Sequence, residues 1–362
     1  MTAGLWKTQL RGITSAAALC ETLSQLAPKR PELDAVTATY PVFINRYIAG
    51  MLKKPGDPLW QQFVPDVREL EDTIGVDDPL AEDSCATVPN ITHRYPNRVL
   101  FLISNRCAMH CRFCTRKRKI GRKFDVTPET ISQGIDYIRR NPQVQDVLLS
   151  GGDPLLLPTA ELANILTRLR AIPHVEIIRI GSRVPGVLPD RINPRLARTL
   201  ARFKPLYINT HFNHPDEITP QSHRACDLLA DAGIPLGCQT VLLKGINDSV
   251  SVMRQLMQAL LSMRVRPYYL HHMDYTRGTE HFRTSLTTGL NIITELRGHA
   301  SGLCIPHYVI DLPGGGGKVP LTPEYIQRLD GQALLIKNFQ GRTFRYDICR
   351  EDAQAFQKRY TP

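Results

Sequence analysis

Six short apolar runs alternate with amphipathic segments from residue 98 to about residue 300, and this alternation constrains the fold more than any other feature. The runs are β-rich, whereas the segments between them space apolar residues at helical intervals, as Ile131, Ile135 and Ile138 do. Apolar strands joined by helices predict a parallel sheet with right-handed crossovers. The predicted strands are 98–104, 146–152, 175–182, 205–212, 235–243 and 267–272.

Polar or glycine-rich residues follow most of these runs. In a β/α barrel the carboxyl ends of the strands form one mouth, where chemistry gathers. We therefore predict an α/β fold, a partial (β/α)6 barrel, with an open doubly wound sheet as the alternative. The expected parts are an N-terminal extension of helices and loops (1–97), the barrel (98–300), and a C-terminal part (301–362) that ends in a short β hairpin around Gln340 and Gly341.

The stretch CAMHCRFC places Cys107, Cys111 and Cys114 directly after the first predicted strand. A structural zinc site needs four ligands, and no second CxxC pair follows. A disulfide framework is typical of small secreted chains, whereas this one has 362 residues, an odd nine cysteines and no apparent signal segment. Three close thiolates suit a [4Fe-4S] cluster with one open iron. The spacing resembles that of the radical S-adenosylmethionine (SAM) superfamily.

Charge and hydropathy leave several partners open. The formal net charge is +11, and seven basic residues lie within RFCTRKRKIGRK (112–123) around the last of the three cysteines. That stretch suits a bound carboxylate or phosphate, a solvated loop, or an RNA-facing patch of an iron–sulfur RNA-binding or RNA-modifying protein. No apolar run is long enough for a membrane span, so we expect a cytoplasmic protein without a membrane partner.

The segment DLPGGGGKVP (311–320) indicates a second cofactor. It is not an ATP-binding P-loop, because Val319 and Pro320 follow the lysine where a Ser or Thr is required. Four glycines allow the backbone to approach a ligand closely, and a lysine among them can form a Schiff base with an aldehyde cofactor. A flexible loop with an exposed lysine is the alternative.

Taken together, eight stretches of the chain closely resemble the lysine 2,3-aminomutase family. They are CAMHCRFCTRKRK, VLLSGGD, HVEIIRIGSR, NTHFNHPDEIT, RPYYL, EHFRT, LRGHASG and DLPGGGGKVP. The resemblance implies a partial β/α barrel and three cofactors: a [4Fe-4S] cluster, SAM and pyridoxal 5′-phosphate (PLP). It also implies an isomerase that uses a SAM-derived radical to move an amino group from C2 to C3 of an amino acid.

The resemblance assigns roles residue by residue. It implies Cys107, Cys111 and Cys114 as cluster ligands and Lys318 as the catalytic residue that binds PLP covalently. Further residues fall into three groups: Arg94, Tyr95 and Arg98 for PLP; Ser150, Gly151, Gly152, Asp153, His211 and Gln239 for SAM; and Arg116, Asp274 and Asp311 for the substrate. Arg116 is expected to pair with the substrate carboxylate. Asp274 and Asp311 are expected to bind its side-chain ammonium group.

These roles favour free L-lysine as the substrate and β-lysine as the product. Arginine is the runner-up, with Tyr275 and Arg277 as residues that could change the pocket depth; another basic amino acid or a protein-bound lysine is a further alternative. We expect an electron donor such as flavodoxin or ferredoxin, no nucleic acid partner, and a homo-oligomer. We expect no structural zinc, because Ser249 replaces a family cysteine and no C-terminal cysteine cluster is seen.

Overall fold

A ten-stranded sheet forms the centre of the protein in the computed structural model, which describes residues 4–121 and 126–360. The strand order is β12-β11-β10-β9-β8-β7-β6-β5-β4-β3, and all neighbouring pairs from β5 to β11 are parallel. The strands are β1 (Gly12–Ile13), β2 (Ile44–Asn45), β3 (Ala86–Val88), β4 (Ile91–Tyr95), β5 (Arg98–Ser104), β6 (Asp146–Gly151), β7 (Ile177–Gly181), β8 (Leu206–Thr210), β9 (Leu236–Leu242), β10 (Val265–His272), β11 (His307–Leu312), β12 (Gly317–Pro320), β13 (Ile326–Leu329), β14 (Ala333–Lys337) and β15 (Thr343–Asp347).

Helices connect the parallel strands, as the alternating pattern predicts. The α-helices are α1 (Leu5–Leu10), α2 (Ala16–Thr22), α3 (Arg30–Thr39), α4 (Arg46–Ala49), α5 (Pro58–Phe63), α6 (Pro128–Arg140), α7 (Thr159–Arg170), α8 (Val184–Val187), α9 (Pro194–Leu200), α10 (Pro220–Asp231), α11 (Val250–Ser262), α12 (Leu286–Leu296) and α13 (Arg350–Tyr360). In the part of the chain that the structure describes, no helix is both long and apolar enough to cross a membrane.

The helix α6 shows how local sequence produces one of these units. Thr127 caps it, because its side chain accepts a hydrogen bond from the Thr130 backbone N–H, and Pro128 follows as the first helical residue. Ile131, Ile135 and Ile138 lie on its buried face. Burying an isoleucine side chain contributes about 1.5–3 kcal/mol, so this stripe fixes the helix against the sheet.

The sheet curves into the predicted partial barrel. The strands β4 and β11 are far apart in the strand order, yet the Arg94 guanidinium lies 3.5 Å from the Asp311 carboxylate. The Tyr95 hydroxyl likewise accepts a hydrogen bond from the Lys318 backbone N–H at 2.8 Å, which joins β4 to β12. The two ends of the sheet therefore meet through side chains, and the prediction of a partial barrel is confirmed.

The sheet also extends beyond the six predicted strands. The strands β3 and β4 add to it before residue 98, where helices and loops alone were expected, and β11 and β12 add to it after residue 300. The sheet thus has members on both sides of the expected divisions at 97/98 and 300/301. The predicted C-terminal hairpin is present as β14 and β15, with β13 as a third strand. The division into three domains stays a prediction.

Candidate active site

One cavity of about 610 Å³ is lined by every residue to which the sequence assigned a site role. It opens at the carboxyl ends of the parallel strands, the edge where β/α proteins place their chemistry. The residues concerned are Arg94, Tyr95, Arg98, Cys107, Cys111, Cys114, Arg116, Ser150, Gly151, Gly152, Asp153, His211, Gln239, Asp274, Asp311 and Lys318.

The cysteine loop follows β5 and is held by the N-terminal part of the chain. The Asn45 side chain donates hydrogen bonds to the carbonyl oxygens of Ala108 and Val187 at 2.9 and 2.8 Å. The backbone N–H of His110 donates to Phe43, and that of Arg112 donates to the Gln62 carbonyl. The N-terminal extension therefore fixes the conformation of the loop that carries the three thiols.

Two hydrogen-bond donors approach the cysteine sulfurs. Arg183 donates to Cys111 Sγ at 2.7 Å, and the Arg116 backbone N–H lies 3.4 Å from Cys114 Sγ. Burial, and then a nearby Cys111 charge, raise the pKa of the Cys114 thiol to about 11. Metal coordination deprotonates a thiol outright. Donors aimed at the sulfurs stabilise the resulting thiolates, so the loop fits an iron–sulfur cluster.

The three thiols do not surround a single ion. Among residues 4–121 and 126–360, no three histidine, cysteine, aspartate or glutamate side chains converge where one metal ion could bind. All nine cysteines are free. Outside the loop, Cys226, Cys238 and Cys304 are buried, but Cys20 and Cys85 are only half-buried and Cys349 is exposed.

Arg183 is a residue of the site that the sequence analysis did not assign. Its second guanidinium nitrogen donates to Gln62 at 2.6 Å and to the buried Glu217 at 2.9 Å. Burial opposes its charge, but Cys111 and Glu217 outweigh this effect and raise the pKa of Arg183. A fixed positive charge therefore lies beside the cysteine loop. The GSR stretch after the third strand was its only sequence signal.

The SGGD segment at the end of β6 packs directly on the cysteine loop. The Gly152 N–H donates to the Ser104 carbonyl at 2.7 Å, and the Asp153 N–H donates to the Arg106 carbonyl at 2.6 Å. Gly151 has a φ of +133°, and a Cβ there would lie 2.1 Å from the Ser104 carbonyl oxygen. Only glycine permits this approach, which brings the SGGD backbone beside the cysteines.

The Asp153 carboxylate is engaged within the protein. It accepts hydrogen bonds from the Ser182 hydroxyl at 2.8 Å and from the backbone N–H groups of Leu155, Arg183 and Val184. Burial raises its pKa to about 6, although these donors oppose the rise. In this structure its side chain positions the turn that carries Arg183. A direct contact between Asp153 and SAM stays a prediction.

His211 and Gln239 complete the set predicted to contact SAM. His211 Nε2 lies 3.0 Å from the Asn213 side-chain oxygen, and its ring lies beside that of Phe113. Burial, and then the Arg183 charge, lower the pKa of His211 to about 3, so the imidazole is neutral. The Gln239 amide donates to the Tyr268 hydroxyl. Both residues line the cavity.

Lys318 lies on a tight hairpin. Its Cα pairs with that of Asp311 across β11 and β12, and the glycine-rich stretch forms the turn between them. Lys318 Nζ donates to Asp311 at 2.6 Å. Gly317 has a φ of +85°, and a Cβ there would lie 2.9 Å from the Tyr95 hydroxyl. Lys318 thus lies on a β hairpin and lines the cavity with its side chain 30% exposed, which favours a cofactor-binding lysine over one on a flexible loop.

Asp274 and Asp311 line the same cavity as Lys318, and Lys318 Nζ contacts Asp311 directly. The Asp311 side chain is 2% exposed, and its oxygen that lies 3.5 Å from Arg94 has no hydrogen bond among the described residues. Burial, and then the charge of Asp311, raise the pKa of Asp274 to about 7. Two buried carboxylates repel each other unless a cation lies between them. The pair therefore suits a cation, and its role in binding the substrate stays a prediction.

Arg94 and Arg98 provide positive charge near Lys318. Arg94 Nε is buried without a described hydrogen-bond partner, and the Arg98 guanidinium lies 3.8 Å from the centre of the Tyr95 ring. None of the described carboxylates pairs with Arg98. Guanidinium groups that lack a full set of partners suit a phosphate. Together with Lys318, this side of the cavity fits a phosphorylated aldehyde such as PLP.

Glu82 is a second site residue that sequence reasoning missed. It is buried and accepts hydrogen bonds from Arg116 Nε at 3.0 Å and from a terminal nitrogen at 2.6 Å. Burial acts to raise the pKa of Glu82, but the Arg116 charge outweighs it and the pKa is lowered. The remaining terminal nitrogen of Arg116 lies 3.5 Å from Ser150 Oγ. Glu82 thus fixes the plane of the Arg116 guanidinium and leaves one terminal nitrogen directed toward the cavity.

The basic stretch around the cysteines is neutralised by acidic residues from the N-terminal extension. Every basic residue from 112 to 119 forms an ion pair, with partners Glu69, Asp78, Glu82 and Asp83. Arg122 and Lys123 lie outside the described residues. Tyr275 and Arg277 are exposed and do not line the cavity, so the suggestion that they alter its depth is wrong.

A CxxxCxxC loop at the mouth of a partial parallel barrel, facing a large cavity, defines a class of protein. Residues 101–256 match the Radical SAM superfamily. The chain is a radical SAM protein, and it therefore uses a [4Fe-4S] cluster and SAM.

Residues 293–360, which include Lys318, match a second family described as Lysine-2,3-aminomutase. The chain is 53% identical to the L-lysine 2,3-aminomutase of Clostridium subterminale over 289 residues, which are 79% of this chain and 70% of that protein. It is 49% identical to the enzyme of the same name from Fusobacterium nucleatum over 313 residues, or 84% and 73% of the two chains. The chain belongs to the lysine 2,3-aminomutase family.

The name of a third relative gives a different substrate. The glutamate 2,3-aminomutase of Clostridioides difficile is 44% identical over 292 residues, 80% of this chain and 69% of that protein. Family membership makes the chain an isomerase of the aminomutase type that uses PLP in addition to SAM. The predicted family, fold class, enzyme class and cofactors are confirmed, whereas the roles of single residues stay predictions.

Proposed function

We propose that the chain moves the α-amino group of free L-lysine to C3 and so produces β-lysine. The observation that carries this proposal is the buried pair Asp274 and Asp311, which faces the PLP-lysine candidate inside the cavity. A negatively charged end of the cavity selects a long cationic side chain and repels glutamate. The curated relatives named L-lysine 2,3-aminomutase support the same substrate.

The proposed roles of the chain's residues follow from their positions. Cys107, Cys111 and Cys114 would hold the cluster, beside the SGGD backbone that would contact SAM. Lys318 would bind PLP through Nζ, while Tyr95 fixes its backbone by the hydrogen bond described above. The cofactors supply the radical and the electron-delocalising ring, and the protein supplies orientation and exclusion of water.

The Lys318 ammonium group stands in for the substrate in the acidic pair. In this structure Lys318 Nζ contacts Asp311. The charge of Lys318 also partly offsets the rise that burial causes in the pKa of Asp274. When Nζ is engaged by a cofactor, Asp311 loses that ammonium partner. The ε-ammonium group of a lysine substrate would replace it beside Asp311, with Asp274 as a second carboxylate lining the cavity.

Arg116 would bind the other end of the substrate. Glu82 holds one edge of its guanidinium, and the nitrogen directed toward Ser150 faces the cavity. A carboxylate there would gain a charge-assisted hydrogen bond. Arg116 and the acidic pair together would fix a free amino acid by both ends. This arrangement favours a free substrate over a lysine within a protein, because a protein-bound lysine lacks the free carboxylate.

Arginine is the runner-up substrate, since a guanidinium can also bridge two carboxylates. The exposure of Tyr275 and Arg277 removes the reason to expect an altered depth, so lysine is favoured. An RNA-directed function has less support, because the described basic residues of 112–119 are all in ion pairs. We further propose a cytoplasmic location, a one-electron donor such as flavodoxin or ferredoxin, a homo-oligomeric state and no structural zinc.

Competition between substrates tests the proposal. The anaerobic enzyme, reconstituted with cluster, SAM and PLP, is incubated with equal concentrations of lysine, arginine and glutamate and a chemical reductant. We expect β-lysine as the main product. Arginine or glutamate as the preferred substrate would refute the assignment, and a variant with Lys318→Ala serves as the inactive control.

A further inference from the structure

A second cavity lies on the other side of the cysteine loop. It has a volume of about 960 Å³ and is lined by Cys107 and by residues of α1, α7 and α9. Cys107 also lines the cavity described above, so the first cysteine of the loop stands between the two. The cluster position is therefore approached from two sides, one of which is free of the predicted substrate and PLP contacts.

The lining of this second cavity is basic. Lys7, Arg11, Arg106 and Arg195 are exposed around it, and Arg191 lies beneath them. No aspartate or glutamate is among its described lining residues, and none of the described carboxylates forms an ion pair with these five side chains. The basic stretch 112–119 differs, because each of its charges is paired within the protein.

Arg191 shows that the positive charge extends into the floor of the cavity. Its side chain is 2% exposed, its Nε has no described hydrogen-bond partner, and its guanidinium lies 5.1 Å from the centre of the Trp6 ring. Burial lowers the pKa of Arg191 to about 10, so it stays charged at neutral pH. A buried charge without a counterion is costly, and an acidic group at the cavity would lower that cost.

We infer that this second cavity is the docking surface for an acidic one-electron carrier protein. The inference rests on the proposed function only in needing a reducible cluster at the three cysteines. One electron would pass from the reduced carrier, which is oxidised by one electron, to the cluster, which is reduced by one. The carrier must come close to the cluster, and the side of Cys107 away from the substrate cavity offers that approach.

Charge complementarity favours this occupant over others. A second copy of the chain would bring the same positive charge against this surface and be repelled. RNA would also be attracted by a basic surface, so RNA binding is one of the outcomes that the test below distinguishes. Electron-transfer partners form small, transient interfaces in which complementary charge raises the association rate. The basic lining of the cavity and its position beside Cys107 suit such an interface.

Charge reversal tests the inference on the reconstituted protein. A variant with Lys7→Glu, Arg11→Glu and Arg195→Glu is compared with Arg198→Glu, which changes an exposed arginine on the same helix α9 outside the cavity. The rate of cluster reduction by purified reduced flavodoxin is followed by absorbance and electron paramagnetic resonance, without any amino acid substrate. We expect the triple variant to be slowed roughly tenfold or more at low salt.

Three controls distinguish the possible results. The parental rate should fall with added salt, the Arg198→Glu rate should match it, and reduction by dithionite should be the same in all proteins. An unchanged flavodoxin rate in the triple variant would overturn the inference, as would a salt-independent parental rate. Parental protein that binds RNA more tightly than flavodoxin, with the triple variant losing only RNA binding, would also overturn it. Failure to convert lysine would leave these results unaffected.

Discussion

Replacing Asp274 with asparagine tests how the acidic pair selects its substrate. The change preserves the size of the side chain and removes one of the two buried negative charges. Truncating one partner of a buried, hydrogen-bonded charge pair costs about 2–5 kcal/mol. At 1.36 kcal/mol for each factor of ten, kcat/KM for lysine should fall by roughly 30-fold to several thousand-fold.

The same residue predicts a pH dependence with a definite sign. The pKa of Asp274 is raised to about 7 by burial and by Asp311, so its carboxylate is mostly protonated below that pH and mostly ionised above it. A cationic side chain binds the ionised form. At pH 6 only about one tenth of the sites are ionised, so kcat/KM should be roughly tenfold below its plateau above pH 8.

Steady-state kinetics with lysine from pH 6 to 8.5 measure both effects. We expect the rise with pH to be present in the parental enzyme and absent after Asp274→Asn. Asp347→Asn, which changes an exposed residue of the C-terminal sheet, is the matched control and should behave as the parental enzyme. Lysine turnover that is unchanged by Asp274→Asn, or a pH rise that persists in that variant, would refute the reasoning.

Four further predictions concern the cofactor sites. Changing Cys107, Cys111 or Cys114 to serine should abolish the cluster. Analysis should find about four iron and four sulfide per chain in the parental protein and far less in each variant; an intact cluster in any of the three would contradict the ligand assignment. Lys318→Ala should remove the borohydride-reducible PLP adduct, and an adduct that maps to another residue would contradict its role. Arg183→Gln should make the cluster midpoint potential more negative and Arg183→Lys should largely restore it, because the hydrogen bond and charge beside Cys111 stabilise the reduced state; an unchanged potential would contradict this. Metal analysis of the reconstituted protein should find no stoichiometric zinc, and one zinc per chain would show that prediction to be wrong.

Much of the barrel was predictable because most of its strands and helices are indicated by residues close together in the sequence. Each parallel strand and its helix carry their own periodic pattern, and capping residues such as Thr127 and Asn193 mark where the helices begin. The strands β3, β4, β11 and β12 were missed as members of the sheet. They pair through long-range or antiparallel contacts whose register is not encoded in local periodicity. The turn glycines between Asp311 and Lys318 were the one available hairpin signal.

The residues of the site also divide into those that local sequence reveals and those that it does not. The cluster cysteines, the SGGD segment and Lys318 stand in short motifs whose chemistry is visible in the sequence. Glu82 and Arg183 do not stand in such motifs. Glu82 acts on Arg116, which is 34 residues away, and Arg183 acts on Cys111, which is 72 residues away. An acidic stretch in the N-terminal extension and a basic one after the cysteines suggest mutual pairing, but only the fold determines which charges meet.

The central claim is that the α-nitrogen of free lysine moves to C3. The most direct measurement is nuclear magnetic resonance of the product formed from L-lysine labelled with nitrogen-15 at the α-amino group, in an anaerobic reaction with SAM, PLP and dithionite. We predict that the label appears on C3 of β-lysine, and that no product forms when either SAM or PLP is left out. A label that stays on C2, or arginine converted while lysine is untouched, would contradict the account.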